Sequence, residues 1–247
     1  MRLVRAEFLK LRKRRGLAVA ATVLTVAPIV VGFAVLTILH AVDPKRYGPA
    51  GGFDNLQGSL ELLTQVGIVA AVLVGATAGA GDRGAGVFRE LVVTGRSRLQ
   101  LFAARIPGGL AFLLPLFALS FAIAAIASVG LTGGGQEPVS GETIVRYAGW
   151  VGLEMIVAFL LALGVSSALG SRGTSIGILL AWQLAAAPLL LQTGRLDDVL
   201  PNAALASLQP EETQLVSTSL STAIVVLVAW TVVPLAAGAW RTRTTDA

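Results

Sequence analysis

Hydrophobic residues run along this chain in six blocks, at 17–39, 62–80, 108–130, 147–169, 174–192 and 218–240, each 19 to 23 residues long. A helix rises about 1.5 Å per residue, so each block is long enough to cross a hydrocarbon core of about 30 Å. Glu154 is the one charged residue inside them. Helices of a water-soluble domain turn a face to water and need charges there. The pattern therefore predicts an all-α, polytopic membrane protein with six transmembrane helices.

The polar connections between the blocks are sorted by charge. Arg2, Arg5, Lys10, Arg12, Lys13, Arg14 and Arg15 precede the first block, and Arg83, Arg89, Arg96, Arg98 and Arg105 lie between the second and third. Arg172 follows the fourth block, and Arg241 and Arg243 follow the sixth. The alternate connections hold only Lys45, Arg46, Arg146 and Arg195. Lys and Arg are retained on the cytoplasmic side, so both termini are expected in the cytoplasm, with 43–58 and 193–216 external.

Composition leaves room for little else. With 55% hydrophobic and 13% charged residues, the chain reads as a single transmembrane domain over 1–247. A net charge of +5 in a soluble protein would point to nucleic acid. Here the cations sit where topology and anionic lipid headgroups place them, so membrane lipids and not nucleic acid are the expected polyanion. There is no cysteine and one histidine, His40, which leaves no ligand set for zinc or haem and no expected metal site. Gly164-Val165-Ser166-Ser167 is a faint match to a serine nucleophile, but His40 lies at the opposite end of its span, out of reach as a base. No Gly-x-x-x-x-Gly-Lys-Ser/Thr phosphate loop is present, so ATP is not bound by this chain in that manner. An enzyme is not expected.

Before the first block, Val4, Phe8 and Leu11 recur at helical spacing while Arg5, Arg12 and Lys13 take other faces. That suits a short interfacial helix over 1–15, with an unstructured basic leader as the alternative. The connection after the second block is longer than a turn requires. Val87, Phe88, Leu91 and Val92 share one helical face, and Gly95 is placed to stop that helix in a left-handed cap. Ser97 and Gln100 then have capping-box spacing at the start of the next helix.

Three of these features together, the basic start with Glu7, Leu9 and Lys10, the connection Gly86-Val87-Phe88-Arg89-Glu90-Leu91-Val92-Val93-Thr94-Gly95-Arg96-Ser97-Arg98, and the ending at Arg243 and Asp246, resemble the ABC-2 type permeases of bacterial ATP-binding cassette transporters. The resemblance covers the whole six-span layout. It implies an ABC-2 exporter-like bundle in the bacterial plasma (inner) membrane. The chain would pair with a second permease copy or a homologous permease, and with two copies of a soluble ATPase subunit that binds ATP and Mg. It also implies that the cytoplasmic segment 82–100 contains a coupling helix docking on that ATPase. Arg83, Val87, Phe88, Arg89, Glu90 and Leu91 would make the contact, with Arg172 in the shorter second connection. A headgroup-bound loop is the other way to read that segment.

Three sets of residues are candidates for a translocation path or gate. Gly67, Ala71, Gly75 and Gly79 form a small-residue stripe on span two that admits another helix closely, either within the chain or at a subunit interface or path. Trp182 and Gln183 on span five are amphipathic candidates for the path, or else lipid-facing or helix-to-helix contacts. Glu154, about 10 Å inside the outer edge of its block, is either a hydrogen-bonding group or the ionisable site of the alternative function, an ion-coupled secondary carrier. The external segment 193–216 mixes Leu196, Val199, Leu200, Leu205 and Leu208 with Asp197, Asp198, Pro201 and Pro210. It is expected to dip back as one or two short helices. The Gly- and Pro-rich 43–58 is expected to be flexible.

Overall fold

The computed structural model describes residues 2–84, 95, 97–194, 196–210 and 218–244. These form helices joined by short connections, with no strand among the described residues. Six helices are long and apolar enough to span a membrane: Arg15–Val42, Phe53–Asp82, Arg98–Gly130, Gly141–Leu169, Arg172–Leu191 and Leu220–Thr244, spans one to six. The chain is an all-helical, multi-pass membrane protein. Each of the first four helices outruns the apolar block that predicts it, because its end turns carry polar residues. Span two begins at Phe53. Span three begins at Arg98, where the expected capping box forms: Gln100 N–H donates to Ser97 Oγ at 3.2 Å and Ser97 N–H donates to Gln100 Oε1 at 3.4 Å. Gly95, just before it, has φ +80°, the left-handed conformation a helix stop requires.

Span two is the hub. In its most apolar stretch 72% of residues are buried inside the chain, against 11% in span six. The cause is its girth, since Gly and Ala let neighbouring backbones close on it. A Cβ at Gly75 would lie 2.6 Å from the Phe159 carbonyl oxygen, and one at Gly79 would lie 2.6 Å from that of Leu163. Both meet span four. Gly67 instead faces the Phe117 ring of span three, and Ala71 is fully buried. The stripe is thus filled from within the chain. Gly79→Val should overpack the contact between spans two and four and cost about 1–3 kcal/mol. Gly149→Ala, with nothing within 4 Å of its added Cβ, should be close to neutral; thermal unfolding in detergent compares the two.

Spans one, five and six bury narrower faces. On span one, Leu17, Ala21, Thr25, Ile29 and Phe33 point inward at every fourth position, while Val19, Val23, Val30, Val31 and Ile38 are exposed, as lipid-facing side chains are. The N-terminal residues are a helix, Arg2–Lys13, not an unstructured leader. It buries Glu7 and Leu11 and leaves Arg5, Arg12 and Lys13 exposed. It crosses span three at Gly108, where a Cβ would lie 2.6 Å from that of Glu7.

At the opposite end, the first connection is shorter than the expected 43–58 and is tied down. Gly51 N–H donates to Leu131 O at 3.1 Å, Gly52 N–H to Ser128 O at 2.8 Å, and Phe53 N–H to Glu137 O at 3.0 Å. Gln136 Nε2 adds a bond to Pro49 O at 2.7 Å. Glycine at 51 serves close approach rather than flexibility, since a Cβ there would lie 2.6 Å from Ser128 O. Within 193–216, the described part contains a short helix, Pro201–Ala206, that buries Pro201, Ala203, Ala204 and Leu205 against the spans, as its apolar residues require.

Candidate functional site

Span five does not run as a plain α-helix. Pro188 lacks the N–H that would bond the Leu184 carbonyl, and a π-helical turn, Trp182–Ala186, absorbs the break. Ala187 N–H accordingly bonds back to Trp182 O. Trp182 and Gln183, neighbours that differ by about 100° around an α-helix, both line one cleft.

That cleft lies between spans two, four and five, beneath the short helix Pro201–Ala206. Ile68 and Val72 come from span two, Glu154, Val157, Ala158 and Leu161 from span four, and Leu179 from span five. Pro201, Asn202 and Leu205 close it. Glu154 is near the middle of its 29-residue helix, which starts at Gly141. It is the only ionisable residue in the lining among the described residues. Its Oε2 is buried without a hydrogen-bond partner, and so is Trp182 Nε1. The cleft volume is ≈ 30 Å³, room for about one water.

The short helix Pro201–Ala206 and the residues beside it are strapped over the cleft from three spans. Trp150 Nε1 of span four donates to Leu205 O at 2.9 Å, and Trp230 Nε1 of span six donates to Val199 O at 2.8 Å. Asn202 Nδ2 donates to Gln183 Oε1 of span five at 3.2 Å, and Arg146 Nη2 of span four reaches Pro210 O at 3.0 Å. Trp182 and Trp230 stack with centroids 5.4 Å apart, joining spans five and six behind the strap.

A second constellation sits at the basic end of the bundle. Arg105 and Asp82 are 1% and 2% exposed, yet both are charged residues. Arg105 Nη2 donates to Asp82 Oδ2 at 3.0 Å and its Nη1 to Gly79 O at 2.8 Å. Lys10 of the N-terminal helix bonds Asp82 at 3.0 Å and pairs with Glu7 one turn back. Ser167 of span four donates to the same Gly79 O at 3.3 Å. Among the described residues, two cations and two anions thus form a largely buried group joining the N-terminal helix to spans two and three. In the sequence Arg105 reads as a topogenic charge and Asp82 as the edge of the connection. Their opposite signs at facing ends of consecutive spans were the available signal.

Sequence-predicted residues divide between these places. Glu154, Trp182 and Gln183 come together in the cleft, while Gly67, Ala71, Gly75 and Gly79 are buried in contacts between helices and do not line it. Ser166 and Ser167 are likewise buried against span two. Arg172 is exposed at the first turn of span five, beside the Ser171 cap that accepts from Thr174 N–H. Val87, Phe88, Arg89, Glu90 and Leu91, and the side chain of Arg83, lie outside the described residues. No group of three or more metal-ligating side chains occurs among the described residues. No protein-family model matches the chain, and no curated protein matches it in sequence.

Proposed function

We propose that this chain is the transmembrane permease subunit of an ATP-driven ABC exporter of the ABC-2 type, with both termini in the cytoplasm of a bacterium and ATP hydrolysed by separate subunits. The observation that carries the proposal is the pairing, at one end of a six-span bundle, of a docked basic N-terminal helix with the long patterned connection after span two. A force applied to 83–94 by a closing ATPase pair enters the bundle at the Asp82–Arg105 group. It passes through the close contact of Gly75 and Gly79 with span four, the span that carries Glu154. A cleft with room for one water beneath a strapped outer helix fits a pathway that is closed until driven. For a secondary carrier, the cleft offers, among the described residues, a single carboxyl group and no second ionisable residue to relay a proton.

A photo-crosslinking residue placed at Leu91 tests the proposal in cells of the source organism. The expected product is a conjugate with a soluble ATPase that carries a phosphate loop. Crosslinks to lipid alone would contradict it.

A further inference from the structure

The N-terminal helix sorts its charges between two faces. At about 100° per residue, Arg2, Arg5, Arg12 and Lys13 fall within an arc of about 100°, and all four are exposed. The one acid of the helix, Glu7, is buried with Leu11 on the opposite face and pairs with Lys10. The outward arc therefore carries four cations and no anion, and no ion pair among the described residues engages them. Such crowding is unfavourable by itself. Arg2 and Arg5 are three residues apart and repel, and they sit in the first turn, where the helix dipole also repels cations and no acid offsets it.

The depth of the helix says which polyanion meets this arc. It crosses span three at Gly108, the first residue of the third apolar block, where a Cβ would lie 3.1 Å from Val4 O and 3.3 Å from Phe8 N. That is the edge of the hydrocarbon, the level of lipid headgroups, rather than the water beyond it where a soluble protein docks. The apolar side of the helix is already used by the bundle: Leu11 is fully buried, and Phe8 packs against the same core. An interfacial helix ordinarily holds to lipid by inserting its apolar face. This one has only charge to offer.

We infer that Arg2, Arg5, Arg12 and Lys13 form a binding face for the phosphate groups of anionic phospholipids. The inference takes from the export proposal only its orientation, which turns this face to the cytoplasmic leaflet, where anionic lipids lie. The binding itself needs no ATPase.

The test compares spin-labelled phosphatidylglycerol with spin-labelled phosphatidylcholine at the surface of the purified chain, in phosphatidylcholine vesicles without ATPase. Wild type should hold the phosphatidylglycerol more tightly, and added salt should weaken that preference. Arg5→Gln with Arg12→Gln should lower it, each lost cation by up to about fivefold. Arg172→Gln with Arg243→Gln removes two exposed cations from the same end of the bundle and should leave most of the preference in place. An equal fall in the two double variants would show a general effect of charge and overturn the assigned face. The absence of any preference in wild type would do the same. A photo-crosslinking residue at Ala6, exposed at the edge of the arc, then separates lipid from protein in whole cells. Conjugates with lipid are expected, and capture of the ATPase in their place would overturn the inference. All four cations remain in that experiment, so it stands even if a double variant fails to fold. Crosslinking from Leu91 is read separately, so either proposal can fail while the other holds.

Discussion

Asp82→Ala is expected to destabilise the folded chain by about 3–5 kcal/mol, the cost of leaving a buried charge without its partner. Asp82 holds Arg105 at 3.0 Å and Lys10 at 3.0 Å. Without it, Arg105, 1% exposed, loses the carboxylate at 3.0 Å that balances its charge. Lys10 fares better, because Glu7 remains beside it. Arg105→Ala should cost nearly as much, whereas the double variant Asp82→Leu, Arg105→Met removes both charges and should recover most of the loss. Denaturant unfolding in detergent of the two single variants and the double variant measures the coupling. A double variant as unstable as the sum of the singles would show that the two residues act separately. Detachment of the N-terminal helix should accompany the loss. Faster tryptic cleavage within the basic N-terminal helix of the Asp82→Ala variant reports it.

The second large effect is on assembly. Phe88→Ala combined with Leu91→Ala should leave the six-span bundle intact and strip the ATPase from it. Truncating a central aromatic anchor of an interface costs on the order of 2 kcal/mol or more, and two such losses weaken docking by a factor on the order of a thousand if they add. The recovery of ATPase with tagged double variant, relative to wild type at equal permease, checks it. Undiminished recovery would remove the coupling role from 83–94. An unaltered gel-filtration profile separates this result from misfolding.

Much of the architecture is legible in the sequence because membrane spanning is a property of each segment alone. Length and apolarity suffice for six helices, and the Ser97–Gln100 cap and the left-handed Gly95 depend only on local backbone needs. Pairing is a different matter. The stripe of Gly67, Ala71, Gly75 and Gly79 announces a close neighbour, but nothing along span two says that spans three and four fill it. Asp82 and Arg105 are 23 residues apart in sequence and join only once the connection between them folds back. Charges counted by side of the membrane hide such a pair. The cleft was half legible: Glu154, Trp182 and Gln183 stand out as polar residues in apolar blocks. The π-helical turn that turns Trp182 and Gln183 to one side follows from Pro188, whose consequence depends on how the broken backbone bonds are satisfied. Asn202 belongs to an outer segment whose apolar content predicts burial without saying against what.

If ATP bound by another subunit drives this chain, purification of the tagged protein from membranes of its source organism in mild detergent will reveal that subunit. A soluble ATPase with a phosphate loop is expected to co-purify in amounts equal to the permease and to hydrolyse ATP in the complex. A chain that purifies without any ATPase, and that moves solute into liposomes on an ion gradient alone, would contradict it.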